Sequence, residues 1–177
     1  MKGLLSFLLV ALVGLASGAS SAQTRTEDAA ERAAHQASID LAIAPLRSMK
    51  DVRIHLRSTP ASPLLALAPT QRREFINSLV FTQDGLGSYS YEALAHGPSV
   101  SEVYKVLALF GAQSEIAAIP GLPSPQNDIE VRMMQASLPS PMASAPWGVN
   151  GICVINGPNG ICVHRHGSLC SRACDRR

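Results

Sequence analysis

The sequence has no cysteine in its first 152 residues, one tryptophan and few charged side chains. Aromatic residues make up 5% of the chain and the formal net charge is +2. That balance argues against nucleic-acid binding, which uses a strongly basic face interleaved with aromatics. The sequence also lacks H-E-x-x-H, the G-x-S-x-G nucleophile elbow and the G-x-x-x-x-G-K-[ST] phosphate loop. Gly85-Leu86-Gly87 supplies two glycines of a G-x-G-x-x-G turn, but Ser90 stands where the third should be. His35, His55 and His96 lie in helix or turn contexts without a nucleophile beside them in sequence. These absences lead us to expect neither an enzyme nor a bound cofactor.

Beyond the first 13 residues no apolar run approaches the length of a membrane span. The early run itself, Leu4 to Val13, is short and follows Lys2. Small residues from Ser17 to Ala22 come next. This is the layout of a secretory signal, with cleavage expected after Ala22 or after Ala19. Residues 1–22 are therefore read as a signal peptide, and the protein as exported, periplasmic or extracellular.

The remainder divides into a helical body (23–137), a proline-rich linker (138–147) and a Cys-rich end (148–177). The fold class expected is mainly α, a small helical body with a C-terminal disulfide-stapled β-hairpin. Thr24 and Glu27 have capping-box spacing, and Ala30, Ala34, Ala37 and Leu41 recur at helical intervals, with Ile39 and Ile43 widening the face. Pro45 should interrupt that helix, and 46–57 reads as a second helix or as a continuation after a kink. A third is expected from Pro69 or Thr70 to about Phe81, with Phe75, Ile76, Leu79 and Val80 inward. Thr82 to Gly85 reads as a turn and 87–91 as a short extended segment whose tyrosines pack. Ser99 and Glu102 have capping-box spacing before a stripe of Val100, Val103, Leu107 and Phe110 that Gly111 should stop. Asp128 to Ala136 should form a short helix with Ile129, Met133 and Met134 inward.

The end of the chain carries what the rest lacks. Cys153, Cys162, Cys170 and Cys174 all fall there. NGICV occurs twice, at 150–154 and 159–163, around Ile155-Asn156-Gly157-Pro158. Two β-branched runs about such a turn predict a hairpin. With Gly157 and Pro158 as the loop, Cys153 stands opposite Cys162 in a non-hydrogen-bonded pair, within disulfide range. Cys170 and Cys174 would share one side of a helical turn. Either each pair closes locally, or each tail cysteine bonds a hairpin cysteine; four cysteines permit three connectivities. A module this small needs such links. Deleting 148–177 is expected to leave the helical body folded, because the apolar stripes precede Gly111.

A second chemistry is available to the same residues. Cys162, His164 and His166 alternate, so an extended chain aims all three one way, and Cys170 would complete a two-sulfur, two-nitrogen metal site. The missing C-x2-C spacing and the expected export favour oxidised sulfur, and no metal is assigned. Residues 23–147 sum to −2, while 148–177 sum to +3 through Arg165, Arg172, Arg176 and Arg177 against Asp175. Such an end suits an anionic membrane surface or an acidic partner. The function expected is an exported non-enzymatic scaffold whose stapled end serves interaction with an envelope partner, or stability. The alternatives are a precursor releasing a cationic Cys-rich peptide with membrane activity, and metal capture through the Cys/His cluster.

Overall fold

A computed structural model describes residues 20–136, 149–157 and 159–174. The expected linker and most of the expected signal peptide lie outside the described residues. Six α-helices, two 3-10 turns and four strands are present among the described residues, so the fold is mainly helical with a small sheet.

Helix α1 spans Ser20–Ile43, which puts Thr24 inside the helix rather than at its cap. It buries Ala37 and Leu41, whereas Ile39 (40% exposed) and Ile43 (72%) face outward, narrowing the expected stripe. The chain leaves α1 before Pro45 and re-enters helix at α2, Met49–Ser58, where Ser48 accepts from the Asp51 N–H. A 3-10 turn at Pro63–Ala66 precedes α3, Pro69–Ser78. The expected helix ran on to Phe81. In the structure α3 stops at Ser78, because Val80 and Phe81 are taken into strand β1 (Val80–Thr82), the partner of β2 (Gly85–Ser90). Ser78 joins the two elements: its hydroxyl donates to the Phe75 carbonyl (2.7 Å) and accepts from the Ser90 N–H (2.9 Å).

A single turn, α4 (Glu92–Ala95), leads to α5 (Val100–Ala108). The expected capping box is present: Ser99 Oγ accepts from the Glu102 N–H, and Glu102 Oε2 accepts from the Ser99 N–H at 2.7 Å. Val100, Val103, Val106, Leu107 and Phe110 are fully buried. Phe75 meets Tyr89 and Phe110 edge-on, with ring centroids 6.0 and 5.8 Å apart. These rings, with Leu64, Leu86 and Leu94, form the centre of the core.

A second 3-10 turn (Gln113–Ala118) is followed by α6, Asp128–Ala136. Ile129, expected inward, is 56% exposed. Met133 and Met134 pack against the core as expected, but the anchor of α6 is polar. The Glu130 carboxylate accepts from the hydroxyl and N–H of Ser101 at the start of α5 and from the Gln126 N–H (2.8 Å). These donors hold the carboxyl below its ordinary range, the Gln126 N–H most strongly. Their support is therefore present above the ordinary glutamate pKa and lost as pH falls through the depressed one. Glu130→Ala should detach α6 selectively. Hydrogen exchange should show faster exchange over 128–136 with little change in the Phe75–Phe110 core; uniform acceleration throughout would count against this assignment.

The sheet is antiparallel with strand order β1-β2-β4-β3. β3 spans Val149–Asn156 and β4 spans Asn159–Cys170. The hairpin has the expected register: Asn156 pairs Asn159, Val154 pairs Ile161, and Cys153 pairs Cys162. Gly157 takes positive φ in its turn, and Pro158 lies outside the described residues. Further along, Gly151 pairs His164 but Val149 pairs Leu169, so β4 bulges over 165–168. Asn150 (φ 80°) and Gly167 (φ 76°) absorb the irregularity, and Asn150 Oδ1 accepts from the Tyr91 hydroxyl at 2.8 Å.

The far end of β4 pairs with β2 through Ser88–Cys170, Tyr89–Leu169 and Ser90–Ser168. Leu169 is 2% exposed and belongs to the same core cluster as Phe75 and Phe110. The Cys-rich end thus completes the sheet of the body. This reverses the expectation for deletion of 148–177: the apolar stripes precede Gly111, but the strand that pairs β2 and sends Leu169 into their core does not.

Candidate functional site

Each hairpin cysteine is bonded to a tail cysteine. Cys153 joins Cys174 (Cα–Cα 5.5 Å) and Cys162 joins Cys170 (6.2 Å). This is the second of the two arrangements open from sequence. Cys153 and Cys162 are opposed in the ladder yet bond elsewhere, because β4 runs on past the bulge and brings 170–174 back beneath the hairpin. Cys153, Cys170 and Cys174 are buried together, with Val80 and Cys162 packed against them. Gly160 leaves the room for this: a Cβ there would overlap Cys153 Sγ and stand 2.9 Å from the Cys174 carbonyl oxygen. The Cys153 N–H, which points away from β4, donates to Ser88 Oγ on β2 at 2.9 Å. The curl of the sheet thereby covers part of the outer edge of β3. Two disulfides fit an oxidising, exported setting, and no described helix is long and apolar enough to cross a membrane.

The thiolates required by a metal site at Cys162, His164, His166 and Cys170 are consumed, since Cys162 and Cys170 bond each other. His164 and His166 are neighbours, with ring centroids 6.2 Å apart. Among the described residues no group of three or more His, Cys, Asp or Glu side chains has a metal-binding arrangement.

The outer face of the hairpin is apolar, and no described residue covers it. Val154 pairs Ile161 and Ile152 pairs Val163, forming a two-by-two block of β-branched side chains. Val154 is 48% exposed, Ile161 46% and Val163 41%. Ile155, one position along and therefore on the opposite face, is 46% exposed. Beside the block lies a polar cleft of about 350 Å³ between the end of α3, β2 and the bulge. Asn77, Glu92, Arg165 and His166 line it. The serines of this cleft serve the fold: Ser78 ties α3 to β2, and Ser90 Oγ donates to the Gly167 carbonyl at 2.9 Å.

A serine–histidine contact occurs elsewhere, His55 Nε2 to Ser62 Oγ at 2.8 Å. Ser62 is buried, and its oxygen accepts from the Leu64 N–H to cap the first 3-10 turn. The other His55 nitrogen meets the Thr59 hydroxyl rather than a carboxylate. This is the geometry of a cap.

Sequence reasoning missed one buried polar cluster. Glu115, in the second 3-10 turn, is enclosed against Tyr89 of β2 and the Ser171–Arg172 segment. Loss of solvent raises its carboxyl pKa to about 7, against the opposing pull of the Ser171 and Tyr89 hydroxyls and the Arg172 N–H and guanidinium. Burial also raises the Tyr89 hydroxyl well above its ordinary value, and Glu115 adds to the shift. The two groups influence each other electrostatically, but neither Tyr89 Oη nor Glu115 Oε2 has a partner at hydrogen-bonding geometry. No sequence signal marks Glu115, which stands among small and apolar residues as a surface acid would.

No family model, no curated protein and no solved structure matches this chain.

Proposed function

We propose that this is an exported, non-enzymatic interaction protein, active in the periplasm or outside the cell. Residues 1–22 serve as its signal peptide, the helical body is the scaffold, and the stapled hairpin meets an envelope partner. The observation that carries this reading is the outer face of the hairpin. Two cystines and the Cys153–Ser88 hydrogen bond fix the hairpin from behind, while Val154, Ile161 and Val163 remain 41–48% exposed in front. Burying apolar surface is worth roughly 25 cal/mol per Å², so side chains left in water on a rigid support have binding energy to give. The pairing of β4 with β2 weighs against release of a C-terminal peptide, because release would strip Leu169 from the core. The closed cystines weigh against thiolate metal capture in the oxidised protein.

Val154→Ser/Ile161→Ser tests the reading. Both side chains face solvent, so the melting temperature should fall by no more than a few degrees, while photo-crosslinking to whole-envelope preparations from position 163 should drop at least tenfold. Equal crosslinking by parent and variant would refute the role of this face. Export is checked separately by cell fractionation and by intact mass, which should show loss of residues 1–22 and of the four thiol hydrogens.

A further inference from the structure

We infer that the surface contacted by the hairpin is an anionic lipid bilayer. The inference rests on the reading of the hairpin as an interaction module and names what it touches.

The size of the patch limits its partner. Three half-exposed residues and the partly buried Ile152 offer on the order of 300 Å² of apolar surface, the scale of an ordinary exposed patch. A stable protein interface needs about 800 Å² on each partner. Among the described residues the block has no apolar extension along β4, since Arg165, His164 and His166 are exposed beyond Val163. The edge of β3 is a poor site for strand addition, because the Cys153 N–H is already engaged by Ser88 Oγ. A second copy or a partner strand would therefore find little to hold.

A lipid surface makes lesser demands on area and none on shape. The interface accepts an apolar face to a depth of about 5–10 Å, and binding adds apolar burial to attraction for anionic headgroups. Val154, Ile161 and Val163 supply the apolar part. Charge complements it: Arg165 is the one formal charge in residues 149–171, which contain no Asp or Glu. Ile155 is also exposed on the opposite face of the same tip. A protein groove would cover one face, whereas acyl chains and headgroups close around both. The polar cleft beside the block brings Arg165 to its rim, and Glu92 of α4 is the acidic group that faces the same cleft.

Mature oxidised protein, residues 23–177, should be mixed with vesicles of pure phosphatidylcholine or of phosphatidylcholine with phosphatidylglycerol. Co-sedimentation reports binding. The parent should bind the phosphatidylglycerol vesicles, and the neutral vesicles several-fold more weakly. Val154→Ser/Ile161→Ser should weaken binding at least tenfold, and Arg165→Gln about fivefold. Absence of binding to both vesicles, or binding indifferent to the double substitution, overturns the inference. Concentration-dependent self-association abolished by the double substitution also overturns it, in favour of a second copy. If vesicles fail while crosslinking to an envelope protein still depends on Val154 and Ile161, the lipid assignment falls and the interaction module stands. If neither depends on them, both fall.

Discussion

A chain lacking residues 148–177 should fail to melt cooperatively, or should melt about 15 °C or more below the full protein. Four losses coincide. β2 loses its β4 partner, and with it the pairs Ser88–Cys170, Tyr89–Leu169 and Ser90–Ser168. Leu169 leaves the core that contains Phe75 and Phe110; truncating one such buried leucine alone costs about 2–5 kcal/mol. Glu115 and Tyr89 lose their cover from Ser171 and Arg172. Loop-edge support goes as well: the Ser171 N–H bond to the Gly87 carbonyl (2.8 Å) and the Thr82 hydroxyl bond to the Ala173 carbonyl (3.1 Å). Together these rival the roughly 5–15 kcal/mol of net stability that a domain possesses. Replacing Cys153 and Cys174 by serine is the milder companion, removing a cross-link between residues 21 apart at a cost of roughly 3 kcal/mol in the loop-entropy account. Far-UV circular dichroism of the three proteins, melted side by side, should rank them full chain, serine variant, truncation. A sharp transition in the truncated chain within a few degrees of the parent would show that the body folds without its fourth strand.

What sequence alone could and could not convey follows from the range of each signal. The capping box at Ser99 and Glu102 is decided within one turn, so it was legible and is present. The register of the hairpin is likewise local: the repeated NGICV and the Gly157 turn fix it. The disulfide connectivity is not local. Cys153 faces Cys162 at the right spacing for a bond, and what diverts both sulfurs is the path of 170–174 under the hairpin, set by pairing with β2. The end of α3 was misplaced for a related reason. Val80 continues the apolar period of Phe75, Ile76 and Leu79, and only pairing with 85–88 turns it into strand. At α6 the apolar pattern pointed to Ile129, but three converging donors make Glu130 the buried residue. Buried acids are invisible to a hydrophobic-period argument, which counts them as solvent-facing. Glu115 escaped in the same way.

Glu115 also gives the protein a distinctive pH response. Its folded pKa of about 7 lies above the ordinary 4.5, so the folded state binds more protons than the unfolded state between those values. Stability contributed by the neutral acid is present in full below about pH 4.5 and is lost as pH rises through about 7. A gap of this size corresponds to about 3 kcal/mol. Glu130 and Asp51 act in the opposite sense, since hydrogen bonds depress both carboxyls and their support fades in acid. Glu115→Gln keeps the shape of the neutral acid and removes the titration. The variant should hold its stability between pH 5 and pH 8 while the parent loses about 3 kcal/mol. At pH 8 it should therefore be the more stable protein by about 2 kcal/mol, allowing for an amide that cannot match every contact of the carboxylate with Arg172. Urea unfolding at pH 5, 6, 7 and 8 provides the test. Parallel stability curves for parent and variant would show that Glu115 does not ionise across this range, or that water reaches it. Diverging curves would place a charge in the joint between the second 3-10 turn and the Ser171–Arg172 segment. Opening of that segment, read by amide exchange at 171–174, should then grow with pH in the parent and stay constant in the variant.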